Sequence, residues 1–197
     1  MKKIPLTLFF MTLCLSLAAF NQYDIKVWSE GMQKDVPVTV ITPDSYDSAQ
    51  NYPVVYILHG YSDNPQKWAA GGVVGNLVDQ YNVLAVLPDG GFSSWYFDSP
   101  VMPEYKYETF ISKELIEYID NNYSTVRDRK GRAITGNSMG GHGAMYNAIR
   151  HQEVYGSVGC LSGGVDIRPF PNDWHISQRL GTQEEYPERW AENTIIN

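Results

Sequence analysis

The sequence predicts an α/β fold: a mostly parallel sheet with helices on both faces and an N-terminal antiparallel hairpin. Three observations carry that expectation. Val54–Leu58 and Val83–Leu87 are continuous apolar runs of five, the length and content of strands buried on both faces. Helical patterns alternate with such runs, which calls for crossover connections and therefore parallel pairing. Between an extended-looking stretch, Arg132–Thr135, and a helical one, Gly143–Arg150, stands Gly136-Asn137-Ser138-Met139-Gly140-Gly141, a G-x-S-x-G run at a strand-to-helix turn.

The 197 residues suffice for one ordinary domain, and 43% hydrophobic content supplies a core. Met1-Lys2-Lys3 followed by the apolar run Ile4–Phe20, ending in Ser16-Leu17-Ala18-Ala19, reads as a secretory signal peptide over residues 1–20 with cleavage near Ala18 or Ala19. The run is short for a membrane anchor and is interrupted by Pro5, Thr7, Thr12 and Ser16. Cys14 follows Leu13, which does not fit a lipoprotein processing site. Removal of the leader leaves Cys160 alone, so neither an internal disulfide nor a cysteine-based zinc site is expected in the domain over 21–197. Without Lys2 and Lys3, 13 basic residues face 22 acidic ones, a net charge of −9 that argues against nucleic acid and anionic membranes as partners. The oligomeric state is not legible.

In chain order, Tyr23–Ser29 and Val36–Ile41 form the hairpin, with Pro37 tolerated near a sheet edge. Val54–Leu58 leads into the loop His59-Gly60-Tyr61-Ser62-Asp63-Asn64. Asp63 or Asn64 caps a helix starting at Pro65 and interrupted at Gly71-Gly72. Val83–Leu87 ends in Pro88-Asp89-Gly90-Gly91 and an aromatic loop, Phe92 to Phe97. Glu108–Asn121 is the clearest helix, with Ile111, Leu115, Ile116 and Ile119 on one face and Lys113, Glu114, Glu117 and Asp120 on a solvated one. Gly156–Leu161 is a small-residue strand. From Val165 to Asn197 the chain is polar and aromatic and reads as a cap-like excursion over the site.

The Gly136–Gly141 run has the context of a nucleophile elbow. A tight turn lifts the Ser138 hydroxyl into a cleft beside a helix N-terminus, whose amides and dipole favour developing negative charge. Aromatic residues, 13% of the chain, are candidates to line that cleft.

His59-Gly60, Asp63-Asn64, Trp68, Pro88-Asp89-Gly90, Ser94-Trp95-Tyr96, Glu114-Leu115, Gly136-x-Ser138-Met139-Gly140-Gly141-x-Gly143-Ala144 and Ser162-Gly163 occur in an order and spacing that resembles the esterase D-like family of α/β-hydrolases. That family includes S-formylglutathione hydrolases, feruloyl and acetyl esterases and acyltransferases of the antigen 85 type. The resemblance spans about Val36 to Gly164 and implies an α/β-hydrolase fold, with no metal and no cofactor. It implies Ser138 as nucleophile and the backbone N–H groups of Tyr61 and Met139 as an oxyanion hole. Trp95 and Tyr96 would shape the acyl side of the cleft or pack under a loop. His59 would face substrate or, since it precedes the serine in a fold whose triad runs Ser, acid, His, serve the loop's structure.

The same order leaves the base open. After Ser138 stand only His142, His151 and His175, and only His175 has an acid in sequence order, Asp166 or Asp173. In the family, acid and base follow two later strands, which nothing from Val165 to Asn197 resembles. The expectation is that the last strands, the acid and the base are missing from these residues. The implied function is a secreted serine carboxylesterase acting on acetyl or feruloyl esters of carbohydrate. The alternatives are a catalytically incomplete fragment or non-catalytic binder with this fold, or an acyltransferase of antigen 85 type.

Overall fold

A computed structural model describes residues 20–196. The leader therefore lies outside the described residues, apart from Phe20, which opens the first strand. The elements are β1 (Phe20–Ser29), β2 (Lys34–Pro43), β3 (Val54–Leu58), α1 (Pro65–Ala69), α2 (Val73–Tyr81), β4 (Leu84–Pro88), α3 (Tyr107–Thr109), α4 (Leu115–Asn122), β5 (Arg132–Asn137), α5 (Met139–Arg150), β6 (Ser157–Leu161), α6 (Ile176–Leu180) and α7 (Pro187–Glu192). They build a six-stranded sheet in the order β1-β2-β4-β3-β5-β6. β1 and β2 pair antiparallel, as do β2 and β4; β4, β3, β5 and β6 run parallel.

Alternation along each strand assigns side chains to two cores. Val38, Val40, Tyr56, Leu58, Leu84, Val86 and Ile134 join Phe110, Leu115, Ile119 and Ala144 on one face. Ile41, Ala85 and Leu87 join Val78 and Ala69 on the other, where the Phe20 ring also packs. The period of two sends neighbouring apolar residues to opposite layers, so a continuous apolar run fills both. β3 departs from its expected burial. Val55 and Ile57 are only half-buried and line an apolar hollow of about 400 Å³ against α2. β6 is an outer strand, and its Val158 and Leu161 are 43% and 55% exposed.

Local signals behave as their chemistry requires. Asn64 caps α1 by accepting from the Lys67 N–H at 3.0 Å, and left-handed Gly71 and Gly72 separate α1 from α2. Pro37 lies one residue before the β2–β4 ladder begins and offers only its carbonyl there, to Asp89 N–H at 2.8 Å. The helix expected over Glu108–Asn121 is broken into α3, a π-helical turn over Phe110–Glu114, and α4; the widened turn buries Phe110, Ile111 and Ser112 in succession.

The solvated face assigned to this helix needs correction. Lys113 and Glu117 are exposed, but Asp120 is 9% exposed and pairs with Arg132, itself 8% exposed. Thr125 Oγ1 donates to the same carboxylate at 2.6 Å. Glu114 accepts from Ser29 Oγ at 2.6 Å and from Gly31 N–H at 2.8 Å. Helical periodicity places Asp120 beside the core boundary, and only β5, twelve residues later, supplies the cation that lets it be buried.

α5 carries a second buried polar group. His142 is fully buried, stacked on Tyr146 at 5.7 Å and edge-on to Trp95 at 5.3 Å. Its Nδ1–H donates to Gly164 C=O at 2.9 Å, and Nε2 has no partner. Burial, only partly offset by the Gly164 carbonyl, pushes its pKa down to about 4.

Two outcomes follow. Asp120→Ala leaves Arg132 buried without its anion and should cost about 3–5 kcal/mol in urea unfolding, whereas Glu117→Ala should stay within about 0.5 kcal/mol. His142 is neutral when folded and takes up a proton more readily when unfolded, at a pKa of about 6.5. Its contribution is therefore complete above that pH and is lost as pH falls toward 4, at about 1.4 kcal/mol for each pH unit of that interval and by up to about 3 kcal/mol in all. Unfolding curves across that window should lose this component in His142→Gln.

Candidate active site

The turn between β5 and α5 holds Ser138 at φ 55° and ψ −117°. A non-glycine residue there carries strain on the order of 1–3 kcal/mol, retained only when neighbours impose it. Ser138 N–H donates to Leu161 C=O at 2.8 Å, and Ser138 C=O accepts from His142 N–H at 3.0 Å. The glycines allow the contact that forces the turn. A Cβ on Gly140 would lie 2.1 Å from the Leu58 carbonyl oxygen, and one on Gly136 2.3 Å from that of Gly140. Any larger residue would push α5 off the ends of β3 and β5. Ser138 itself remains exposed at the mouth of a cleft.

The loop after β3 passes beside it. A Cβ on Gly60 would stand 3.6 Å from Ser138 Cβ and 3.4 Å from Asn137 C=O, so the Gly60-Tyr61 backbone borders the nucleophile. Among the described residues, neither Tyr61 N–H nor Met139 N–H has a protein acceptor. Met139 is the first residue of α5, where an N–H has no intrahelical partner and the helix dipole adds positive character. Two N–H groups without a protein acceptor thus lie on the segments that border an exposed serine.

The three side chains expected on the substrate side separate. Trp95 lines the cleft. Tyr96 does not: it is fully buried, with its ring against Gly143 and its hydroxyl donating to His59 C=O at 3.1 Å. His59 is also buried. Its Nδ1–H donates to Gly60 C=O at 2.8 Å and its Nε2 accepts from Gly90 N–H at 2.8 Å. His59 and Tyr96 therefore form a tier beneath the cleft that fixes the Gly60 and Gly90 turns, because their polar side-chain atoms bond backbone groups, with His59 Nε2 also 3.3 Å from Asp89 Oδ1. Asn147 extends the tier by donating to Tyr96 C=O at 3.0 Å.

The other wall comes from the segment after β6. Ser162–Ile167, Pro169, Phe170 and Trp174 line the cleft, whose volume is about 450 Å³. Phe170 and Trp174 pack with their rings tilted at 57° and centroids 4.9 Å apart, and Trp95 Nε1–H donates to Trp174 C=O at 3.2 Å. The sequence places an excursion over the site without singling out these two aromatics. Their only signal is the aromatic content of an otherwise polar stretch.

None of the later histidines bonds to Ser138. His142 is committed to Gly164, His151 Nε2 lies 3.0 Å from Glu108 Oε1, and His175 Nδ1 accepts from Tyr61 Oη at 2.7 Å. Asp166 does not reach His175; Arg168 grips it with bonds of 2.8 and 3.0 Å. An Asp166–His175 dyad is therefore not assembled. Among the described residues no group of three His, Cys, Asp or Glu side chains gathers as a metal site, and no helix is long and apolar enough to cross a membrane.

A family model described as "Putative esterase" matches residues 29–194. Esterase Rv1288 of Mycobacterium tuberculosis is 31% identical over 158 residues, 75% of this chain and 34% of that protein. An acetyl esterase of Caldicellulosiruptor saccharolyticus is 30% identical over 161 residues, 76% of this chain and 60% of its own length. The chain thus spans between about a third and three fifths of these relatives. Among solved structures, a ferulic acid esterase superposes with a TM-score of 0.73 at 28% identity, covering 87% of this chain and 69% of that one. With an α/β-hydrolase sheet, a strained serine at its strand-to-helix turn and a family match over nearly the whole described length, the chain belongs to the esterase family.

Proposed function

We propose that this chain carries the nucleophile and oxyanion hole of a secreted serine carboxylesterase that releases aromatic acyl groups, of feruloyl type, from carbohydrate. The observation that carries the reading is Ser138, exposed and strained between the free N–H groups of Tyr61 and Met139. Ser138 Oγ attacks the ester carbonyl carbon as a base removes its proton. The carbonyl oxygen becomes an oxyanion held by the two N–H groups, the alcohol leaves with a proton, and water then attacks the acyl-enzyme carbonyl. Losing one such donor typically costs about 2.7–4 kcal/mol of transition-state stabilisation.

The base and its acid are assigned to sequence following the described residues. Ile195 and Ile196 N–H bond to Val165 C=O at 3.0 and 3.2 Å, which returns the chain beside the loop leaving β6. Among the described residues no strand pairs with the outer edge of β6, and parallel strands added there would bring their C-terminal loops to the same end of the sheet as Ser138. An aromatic acyl group is favoured over acetyl because Tyr61, Trp95, Phe170 and Trp174 line about 450 Å³, far more than a methyl group fills. Carbohydrate as the alcohol part is supported by the relative named as an endo-1,4-beta-xylanase/feruloyl esterase. Export is supported by the basic, then apolar, then small-residue order of residues 1–20.

The 197-residue chain should hydrolyse p-nitrophenyl acetate poorly or not at all, while a version extended through the following reading frame is active and loses roughly 10³-fold or more in kcat in Ser138→Ala. Robust turnover by the short chain that persists in His175→Ala would overturn the assignment of the base, and an inactive extended chain would favour a binder. The cleft is testable without turnover. Ferulate should quench tryptophan fluorescence, acetate should not, and Trp174→Ala should weaken ferulate binding about tenfold, or about 1.4 kcal/mol.

A further inference from the structure

We propose that β1 is a self-association surface, through which two copies of this chain pair edge to edge and antiparallel into one continuous sheet. Among the described residues no strand pairs with the outer edge of β1, although the strand runs ten residues, Phe20–Ser29. The direction of its free backbone groups follows from β2. Pro37 turns its carbonyl to Asp89 N–H, away from β1, and Lys26 stands opposite Pro37. Opposed residues of an antiparallel ladder alternate between bonded and non-bonded pairs. Lys26 and, at the period of two, Gln22, Asp24 and Trp28 therefore direct their N–H and C=O groups outward. An uncovered edge of that length is a template for another strand.

A second copy fits this template because the strand is complementary to itself. With the two-fold axis at Ile25, antiparallel pairing sets Asp24 opposite Lys26 of the second copy and Lys26 opposite its Asp24. Each such pair exchanges backbone hydrogen bonds, and its two side chains, both exposed in one copy, project from the same face of the joined sheet. An edge lysine ordinarily blocks strand addition, but in this register it meets an anion. Sliding the pair by two residues either way would set Asp24 against Asp24 or Lys26 against Lys26, so charge selects one register. The opposite face adds shape. Tyr23, 45% exposed, falls opposite Val27 of the second copy, beside a hollow of about 470 Å³ lined by Val27, Glu117, Tyr118 and Asn121. The Tyr23 ring of each copy enters the hollow of the other, and the two Ile25 side chains meet on the axis.

Sedimentation equilibrium of the 197-residue chain over a concentration series should show monomer and dimer in exchange. Lys26→Glu makes the edge acidic at both charged positions and Asp24→Lys makes it basic at both, so each turns attraction into repulsion and should weaken the dimer roughly tenfold or more. Mixed in equal amounts, the two variants should associate about as tightly as wild type. Asp24→Lys forfeits the bond that Asp24 accepts from Thr39 Oγ1, so a second measurement leaves both charges in place. With Cys14 and Cys160 changed to serine, Ile25→Cys should be trapped as a disulfide-linked dimer by copper phenanthroline. Across the axis Ile25 forms a non-bonded pair, whose Cα separation of about 4.5 Å suits a disulfide. Lys26→Cys, opposite Asp24, should not be trapped. A wild-type chain that stays monomeric overturns the proposal and leaves the edge to a strand of another protein. Association unchanged by both single charge variants, as the apolar leader or another face would give, overturns it as well. So does equal trapping of Ile25→Cys and Lys26→Cys.

Discussion

The site depends on one close approach, the N-terminal turn of α5 against the end of β3. Gly140 meets the Leu58 carbonyl at a distance no Cβ permits, and Gly136 meets Gly140 in the same way. With the helix that near the sheet, the single residue between β5 and α5 cannot relax into an ordinary conformation. Ser138 therefore stands at positive φ, its side chain exposed, its N–H anchored to Leu161 and its carbonyl anchored to His142 N–H. The strain serves to position the hydroxyl, and the adjoining helix start leaves Met139 N–H free on the same side.

Beneath the cleft, polar side chains are used to hold backbone. His59 ties Gly60 to Gly90, Tyr96 reaches back to His59, Asn147 holds Tyr96, and His142 holds Gly164. Each of these contacts reaches a segment that borders the cleft without a side chain of the tier entering it. Buried polar groups are tolerable when their hydrogen bonds are made, and satisfied networks of this kind specify one arrangement of the loops above them. His142 Nε2 and Asn147 Oδ1 are the exceptions in this tier, and the lack of a partner at Nε2 fits a ring that stays neutral over most of the pH range.

The wall opposite the elbow is assembled from residues far apart in sequence. Arg179, buried, donates to Ser93 Oγ at 2.7 Å and packs on the Tyr105 ring at 3.9 Å, and Ser99 Oγ–H donates to Arg179 C=O at 2.6 Å. These contacts bind α6 to the aromatic loop that presents Trp95. Together with Trp95–Trp174 and Tyr61–His175, they make the segment after β6 part of the site's framework.

By itself the sequence determined what short-range chemistry dictates. Apolar runs of five specified β3 and β4, Asn64 and the Gly71-Gly72 pair delimited α1 and α2, and a G-x-S-x-G run between extended and helical patterns located the elbow. Local backbone geometry and hydrogen-bond supply act within a few residues, so one strand of sequence suffices to read them. The tertiary structure decided whatever required a distant partner. Asp120 looked solvated until Arg132 was placed beside it, and Val55 and Ile57 looked fully buried until their face of the sheet was seen to be partly open. His59 and Tyr96 could not be told from Trp95 by type, because only the packing of Gly90, Gly143 and Asn147 sends two of them below the cleft and leaves the third on its wall. His175 was legible only as a histidine in the correct order after the serine. Its bond to Tyr61, 114 residues away, is a product of the fold.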